Sequence, residues 1–77
     1  MRIVKFRVDG KDTIGVRVKD GQGVGQALEA RLKLDRGYSW CSVERDGWTD
    51  FDRLPFYRYE HGFGGGSAVV IGETGED

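Results

Sequence analysis

The sequence predicts a single α+β domain: an antiparallel sheet of four to six strands with one helix packed on one face, in the order β-β-α-β-β-β. The chain has 77 residues, which is enough for one domain only. Its residues are 38% hydrophobic and 32% charged, which is typical of a folded globular domain. Several stretches alternate polar with apolar residues, as half-buried strands do, and one stretch has helical spacing instead.

The first twenty residues predict a β-hairpin. Apolar residues alternate with polar ones in two runs: Val4, Phe6 and Val8, then Ile14, Val16 and Val18. The segment Asp9-Gly10-Lys11-Asp12 between them is typical of a turn, because its glycine can adopt a positive φ. A two-residue loop would mix the two faces of the hairpin. We therefore expect a loop of three or five residues, which places the two apolar sets together.

The residues from Val24 onward predict one short amphipathic helix. Its apolar positions follow helical spacing: Val24, Ala27, Leu28 and Leu32. Gly37 suits the position just after the helix, because glycine readily adopts the left-handed conformation found there.

The chain after the helix predicts further strands at residues 38–45, 48–51, 56–60 and 67–71. The first two would meet at a turn formed by Asp46-Gly47.

The register of this turn has two alternatives. A two-residue turn places Cys41 and Val43 on one face with Trp48, Asp50 and Asp52. A three-residue turn places them with Phe51 instead and leaves both aspartates on the opposite face. We favour the three-residue turn, because burying two carboxylates is costly.

The last third of the chain is rich in glycine. Leu54-Pro55 is expected to interrupt the ladder of hydrogen bonds, and residues 62–66 to form a flexible loop. Residues 73–77 are expected to be a frayed acidic tail, which limits the domain to residues 1–72. The strand at 68–71 is apolar on both faces, so it is either central in the sheet or paired with another chain. On this basis we expect a homodimer.

Few residues suit catalysis or metal binding. Cys41 and His61 are the only thiol and imidazole. Cys41 lies within a predicted strand and is expected to be a small core residue, and His61 to lie exposed at the edge of a loop. The glycine-rich segment lacks the lysine of a phosphate-binding loop. We therefore expect no enzyme activity, no cofactor and no metal site.

Charge divides the chain into two parts. Residues 1–33 contain eight basic residues (Lys and Arg) and four acidic ones (Asp and Glu). Residues 34–77 contain four basic residues and nine acidic ones. Two candidate surfaces follow from this division. The basic candidate is a nucleic-acid face on the hairpin: Lys5, Arg7, Arg17 and Lys19. The acidic-aromatic candidate is a surface for a protein partner: Tyr38, Trp40, Glu44, Asp50, Asp52, Tyr57 and Tyr59.

In size and element order the chain resembles small phage-encoded inhibitors, notably the anti-CRISPR proteins that act on type I systems. The resemblance implies a non-enzymatic protein that blocks nucleic-acid binding by a type I CRISPR effector complex, by occupying a basic surface. It also implies the cytoplasm of a bacterial host. The alternatives are a small nucleic-acid-binding module that uses the basic hairpin, or a structural or accessory phage protein.

Three features of the sequence bear on where the protein is located in the cell. No apolar run approaches the roughly 20 residues that span a bilayer, so we expect no membrane association. The first residues lack the pattern of a signal peptide, and the single cysteine suits a reducing compartment. We therefore expect a cytoplasmic protein.

Overall fold

The computed structural model describes residues 1–49 and 53–75 and contains five strands and one helix in this part of the chain. In chain order they are β1 (Arg2–Val8), β2 (Asp12–Val18), α1 (Val24–Arg36), β3 (Cys41–Trp48), β4 (Pro55–His61) and β5 (Gly64–Gly75). The strands form one antiparallel sheet in the order β2-β1-β5-β4-β3. The predicted α+β class, with one helix against one face, is confirmed.

The hairpin of β1 and β2 has the predicted odd loop. Val8 pairs with Asp12, so the loop consists of residues 9–11, and Phe6 pairs with Ile14. Asp9 and Gly10 both have positive φ, at 53° and 75°. Aspartate and glycine tolerate this conformation, and the three-residue loop places the apolar residues of both strands on one side of the sheet.

The helix begins and ends where the sequence predicts. At its start the backbone N–H of Gly23 donates to Oε1 of Gln26 at 3.1 Å. At its end Gly37 has a φ of 65°, and its N–H donates to the carbonyl of Lys33 at 3.1 Å. This left-handed glycine satisfies a carbonyl of the last turn that has no partner within the helix.

The predicted turn at Asp46-Gly47 is wrong. Strand β3 runs without interruption from Cys41 to Trp48, and the register against β4 shifts between Arg45 and Gly47. The shift is a β-bulge, in which the chain accommodates an extra residue and Gly47 adopts a φ of 150°. An Asp-Gly pair suits a bulge as well as a turn. Of the predicted strand at 48–51, Trp48 is the last residue of β3, Thr49 is not in a strand, and residues 50 and 51 lie outside the described part.

The glycines at 64–66 belong to a strand rather than to a loop. Gly64, Gly65 and Gly66 pair with residues of β4, and only Gly62 and Phe63 connect the two strands. At its other end β5 continues to Gly75 and pairs with the first residues of β1. The tail expected from residue 73 is therefore strand as far as 75, and residues 76 and 77 lie outside the described part.

Strand β5 lies at the centre of the sheet, between β1 and β4. This is one of the two positions that its apolar sequence predicted, and it accounts for that sequence without a second chain. Pro55 is the first residue of β4, where the absence of an N–H is tolerated.

The hydrophobic core lies between α1 and one side of the sheet. Its buried residues are Val4, Phe6, Val8, Val16, Val18, Ala27, Leu28, Leu32, Cys41, Tyr57, Tyr59, Ala68 and Val70. Cys41 is 3% exposed, which confirms the prediction that it is a small core residue. Among the described residues, no helix has both the length and the apolar sequence needed to cross a membrane.

Candidate protein-binding surface

One side of the sheet faces away from the helix, and we call it the open face. Within residues 1–49 and 53–75 no helix or strand packs against it. Side chains alternate between the two sides of a strand, so the open face carries the residues that lie between the buried ones. Each strand therefore contributes every second side chain to this surface.

An acidic strip, Glu44, Asp46 and Glu60, crosses the open face on β3 and β4. Arg58 lies among these acids, opposite Glu44 in the register. It donates to both carboxylate oxygens of Asp46 at 2.9 Å, and this hydrogen bond raises the pKa of Arg58. Neither Glu44 nor Glu60 takes part in an ion pair between described residues. The strip therefore keeps unneutralised negative charge.

Trp40 lies at one end of the acidic strip. It immediately precedes β3, and alternation from the buried Cys41 places it on the side of Glu44. Its side chain is 49% exposed. The indole lies beside Gly62, where a Cβ would be 3.4 Å from Nε1. An exposed tryptophan next to acids is a common anchor of a protein interface.

A basic patch, Lys5, Arg7 and Arg17, lies on β1 and β2 at the other side of the open face. Lys5 and Arg7 are neighbours on β1, and Arg17 pairs with Ile3 across the two strands. None of the three takes part in an ion pair within the described part of the chain. Lys19, the fourth predicted member, lies beyond the end of β2 and is exposed.

Apolar side chains separate the basic patch from the acidic strip. Val69, on the central strand, pairs with Arg7 on one side and with Phe56 on the other. Ile71 and Ile3 lie on the same face, and all four apolar side chains are partly exposed. A solvated sheet face normally carries polar residues at such positions, so this apolar centre is a feature of a contact surface.

The predicted acidic-aromatic surface is not brought together as a whole. Tyr57 and Tyr59 are 9% and 1% exposed and lie in the core, on the helix side of the sheet. Tyr38 also lies there, with its ring stacked on His61 at 4.2 Å between centroids. Of the seven predicted residues, Trp40 and Glu44 share the open face. Asp50 and Asp52 lie outside the described residues.

The error arose because Tyr57 and Tyr59 were grouped with the acids by their closeness in the sequence. Tyr57 and Tyr59 alternate with Arg58 and Glu60 along β4, and this alternation was the signal that the tyrosines face the core. The same signal identifies Glu60, which the sequence prediction missed. His61 also differs from its prediction, because it is the half-buried last residue of β4.

Tyr59 holds the first hairpin loop against the sheet. Its hydroxyl donates to the carboxylate of Asp9 at 2.5 Å. The same carboxylate accepts the backbone N–H of Ser67 at 3.3 Å, and the N–H of Asp9 donates to the carbonyl of Ser67 at 2.8 Å. Burial, together with the hydrogen bond to Asp9, raises the pKa of Tyr59. Both effects favour the neutral phenol.

The raised pKa of Tyr59 predicts a loss of stability at alkaline pH. In the unfolded chain the phenol ionises above about pH 10, whereas in the folded protein it stays protonated. The contribution of Tyr59 is therefore complete below about pH 10 and declines as the pH rises further. Urea unfolding from pH 8 to about pH 11 measures this decline.

The matched variant is Tyr59→Phe, which cannot ionise. It loses the hydrogen bond to Asp9, so we expect it to be less stable at neutral pH by about 1.5 kcal/mol. Above about pH 10 the difference between the two proteins should shrink. A constant difference across this range would contradict the assignment.

The thiol and the imidazole are neighbours, yet their environment differs from that of an activated pair. Cys41 lies opposite His61 in the register of β3 and β4. Burial, followed by the negative charge of Glu29, raises the pKa of the Cys41 thiol. A nucleophilic cysteine requires a lowered pKa.

The described residues offer little for a metal ion. They contain no group of three or more His, Cys, Asp or Glu side chains arranged to hold a metal ion. The acidic strip borders a depression of about 150 Å³ between Ser42, Glu44, Arg58 and Glu60. This volume is below the roughly 300 Å³ that small-molecule sites usually enclose, whereas a depression of about 400 Å³ lies beside Trp48 and Arg53.

Comparison with known proteins identifies no relative of this chain. No protein-family model matches this chain, and no curated protein and no solved structure shows significant similarity to it.

Proposed function

We propose that this protein is a non-enzymatic protein-binding module, whose acidic strip and Trp40 dock on a basic surface of a partner. The observation that carries the proposal is the half-exposed Trp40 at the end of a strip that includes the unpaired Glu44 and Glu60. A large aromatic side chain supplies buried area, and the acids supply attraction and orientation towards a basic partner.

A protein partner fits the open face better than a nucleic acid does. Acids occupy half of this face and would repel phosphates. The basic patch also lacks an exposed aromatic side chain, because Phe6 is the only aromatic residue of β1 and β2 and is fully buried. Single-stranded nucleic acids are usually held by stacking on such side chains.

The proposed mode of action is inhibition by occupancy: the acidic strip covers a basic surface that the partner needs for nucleic acid. The anti-CRISPR hypothesis is a specific form of this proposal, with a subunit of a type I CRISPR effector complex as the partner in the bacterial cytoplasm. This identity stays a prediction.

Reversal of charge on the acidic strip tests the proposal. The variant Glu44→Lys with Glu60→Lys should weaken partner binding at least about a hundredfold, because attraction becomes like-charge repulsion. Exposed charges contribute little to folding, so the melting temperature should change only slightly. The measurement is the shift of target DNA by a purified type I effector complex, with and without the added protein.

The control reverses two acids away from the open face, Asp20→Lys with Glu29→Lys, and should inhibit like the unmodified protein. Direct binding of DNA by the protein itself, lost in Lys5→Glu with Arg17→Glu, would favour the nucleic-acid alternative. Inhibition that survives reversal of Glu44 and Glu60 would contradict the proposed surface.

A further inference from the structure

The open face has complementary charges on its two halves. Strand β5 is central, with β1 and β2 on one side and β4 and β3 on the other. The basic patch lies entirely on the first pair of strands, and the acidic strip entirely on the second. We propose that a second copy of this chain binds the open face and forms a symmetric dimer, an inference that rests on the proposed role of this face in binding proteins.

A two-fold axis explains how two identical faces become complementary. When the axis lies in the plane of the interface, passes over Val69 and runs diagonally to the strands, rotation exchanges the corner of the face that holds the basic patch with the corner that holds the acidic strip. The basic patch of each copy then lies over the acidic strip of the other, so two sets of attractive contacts form at once. An axis parallel to the strands would leave the two charge sets displaced along the strands, because Lys5 lies level with Gly72 and Glu44 lies level with Ser67, on opposite sides of Val69. The charge pattern therefore also selects the orientation.

The apolar centre of the face lies where the axis passes. Val69 pairs with Phe56, and Ile71 and Ile3 lie nearby on the same face. In the dimer Val69 meets its own counterpart at the axis, and the apolar side chains beside it leave water with it. A central apolar region surrounded by charged residues is the usual arrangement of a protein interface.

Apart from Arg58 and Asp46, which pair with each other, the charged side chains of the basic patch and the acidic strip lack ion-pair partners among the described residues of their own copy. Lys5, Arg7 and Arg17 form no ion pair with any described residue, and the same is true of Glu44 and Glu60. By contrast, Arg31 and Arg36 on the helix are paired with Asp35 and Asp12. Ionic contacts within the chain therefore lie mainly away from the charges that the dimer would pair.

The size of the face is sufficient for a dimer. The accessible surface of the protein is 5027 Å². A standard interface buries about 800 Å² on each partner, which is about a sixth of this surface. One side of a two-layer fold can supply that area.

Both edge strands of the sheet are poorly suited to pairing with a strand of another chain, which favours association through the open face. On β2 the guanidinium of Arg31 reaches across from the helix and donates to the carbonyl of Gly15. On β3 the bulge between Arg45 and Gly47 interrupts the regular row of backbone groups. A blocked edge and a bulged edge both disfavour strand-to-strand pairing with another chain.

Sedimentation velocity over a concentration series reaching about 1 mM tests the dimer. The first variant, Lys5→Glu with Arg7→Glu, leaves Arg17 as the only member of the basic patch and makes the open face predominantly acidic. The second variant, Glu44→Lys with Glu60→Lys, makes it basic. Each should raise the dimer dissociation constant at least about tenfold, because like charges now face each other.

The decisive measurement is the sedimentation velocity of a mixture of the two variants. An acidic face and a basic face attract in both halves of the interface, as in the original dimer, so the mixture should form a heterodimer about as tight as the original dimer, although neither variant dimerises well alone. A misfolded variant would not show this recovery. The control, Lys11→Glu with Lys33→Glu, changes the net charge equally away from the open face and should dimerise normally.

Failure of this inference can be distinguished from failure of the proposed function. An unmodified protein that stays monomeric to about 1 mM, or variants that do not recover on mixing, would overturn the dimer. If no dimer forms but reversal of Glu44 and Glu60 abolishes inhibition, the dimer is overturned and the proposed function is supported. Because a basic partner and a second copy would occupy the same face, the dimer should also dissociate when the partner binds.

Discussion

Replacement of Phe6 by alanine is expected to lower the free energy of unfolding by about 4 kcal/mol. The side chain is fully buried, and its ring meets that of Tyr57 edge to face at 5.7 Å between centroids. The variant loses this contact and leaves a cavity below the helix. A domain of this size is stable by only about 4 to 12 kcal/mol, so the variant should be close to unfolded at room temperature.

Phe63 supplies the matched control. It is also a phenylalanine, but it is 95% exposed in the connection between β4 and β5. Its replacement by alanine should change the free energy of unfolding by less than about 0.5 kcal/mol. Urea unfolding followed by circular dichroism measures both variants, and equal losses would contradict the assignment of Phe6 to the core.

Replacement of Gly66 by alanine is expected to cost about 3 kcal/mol of stability, because the new methyl group has no space. Gly66 lies directly opposite Tyr59 in the register, under the tyrosine ring. A Cβ at this position would be 2.6 Å from Oδ1 of Asp9 and would collide with the end of the ring. The ring is buried and cannot move aside without losing its hydrogen bond to Asp9.

The neighbouring glycine provides the control for this steric argument. A Cβ at Gly65 would lie 3.5 Å from the carbonyl of Tyr59, an ordinary contact distance. Gly65→Ala should therefore be tolerated. In a background with Tyr59→Leu, the cost of Gly66→Ala should fall, because the obstructing ring is gone. An unchanged cost in that background would show that the phenol does not exclude the side chain.

The local elements follow from short-range patterns. The alternation in the first hairpin and the need to keep its apolar residues on one face were enough to predict a loop of odd length, which is the loop formed by residues 9–11. The spacing from Val24 and the glycine at position 37 predicted the helix and its end. These predictions need only residues that are close together in the chain.

The candidate surface was only partly predictable. The sequence identified the basic residues on β1 and β2, because the strict alternation of that hairpin assigns each side chain to a face. For residues 38–52 the assignment depended on an assumed turn at Asp46-Gly47, where the structure has a bulge. Tyr57 and Tyr59 were grouped with Glu44 because aromatic and acidic residues are close together in this part of the sequence. The grouping was wrong, since the alternation along β4 places both tyrosines on the helix side, and the position of Arg58 opposite Glu44 was missed.

What the sequence determined by itself was the content of the fold: strands where polar and apolar residues alternate, one helix, and a buried cysteine. What the tertiary structure alone decided was which distant segments pair. Glycine has a low preference for strands, yet residues 64–66 form one because β4 pairs with them and Tyr59 covers Gly66. The physical reason is that a strand position depends on its cross-strand neighbours, and a single-residue shift in that pairing moves every side chain to the opposite face.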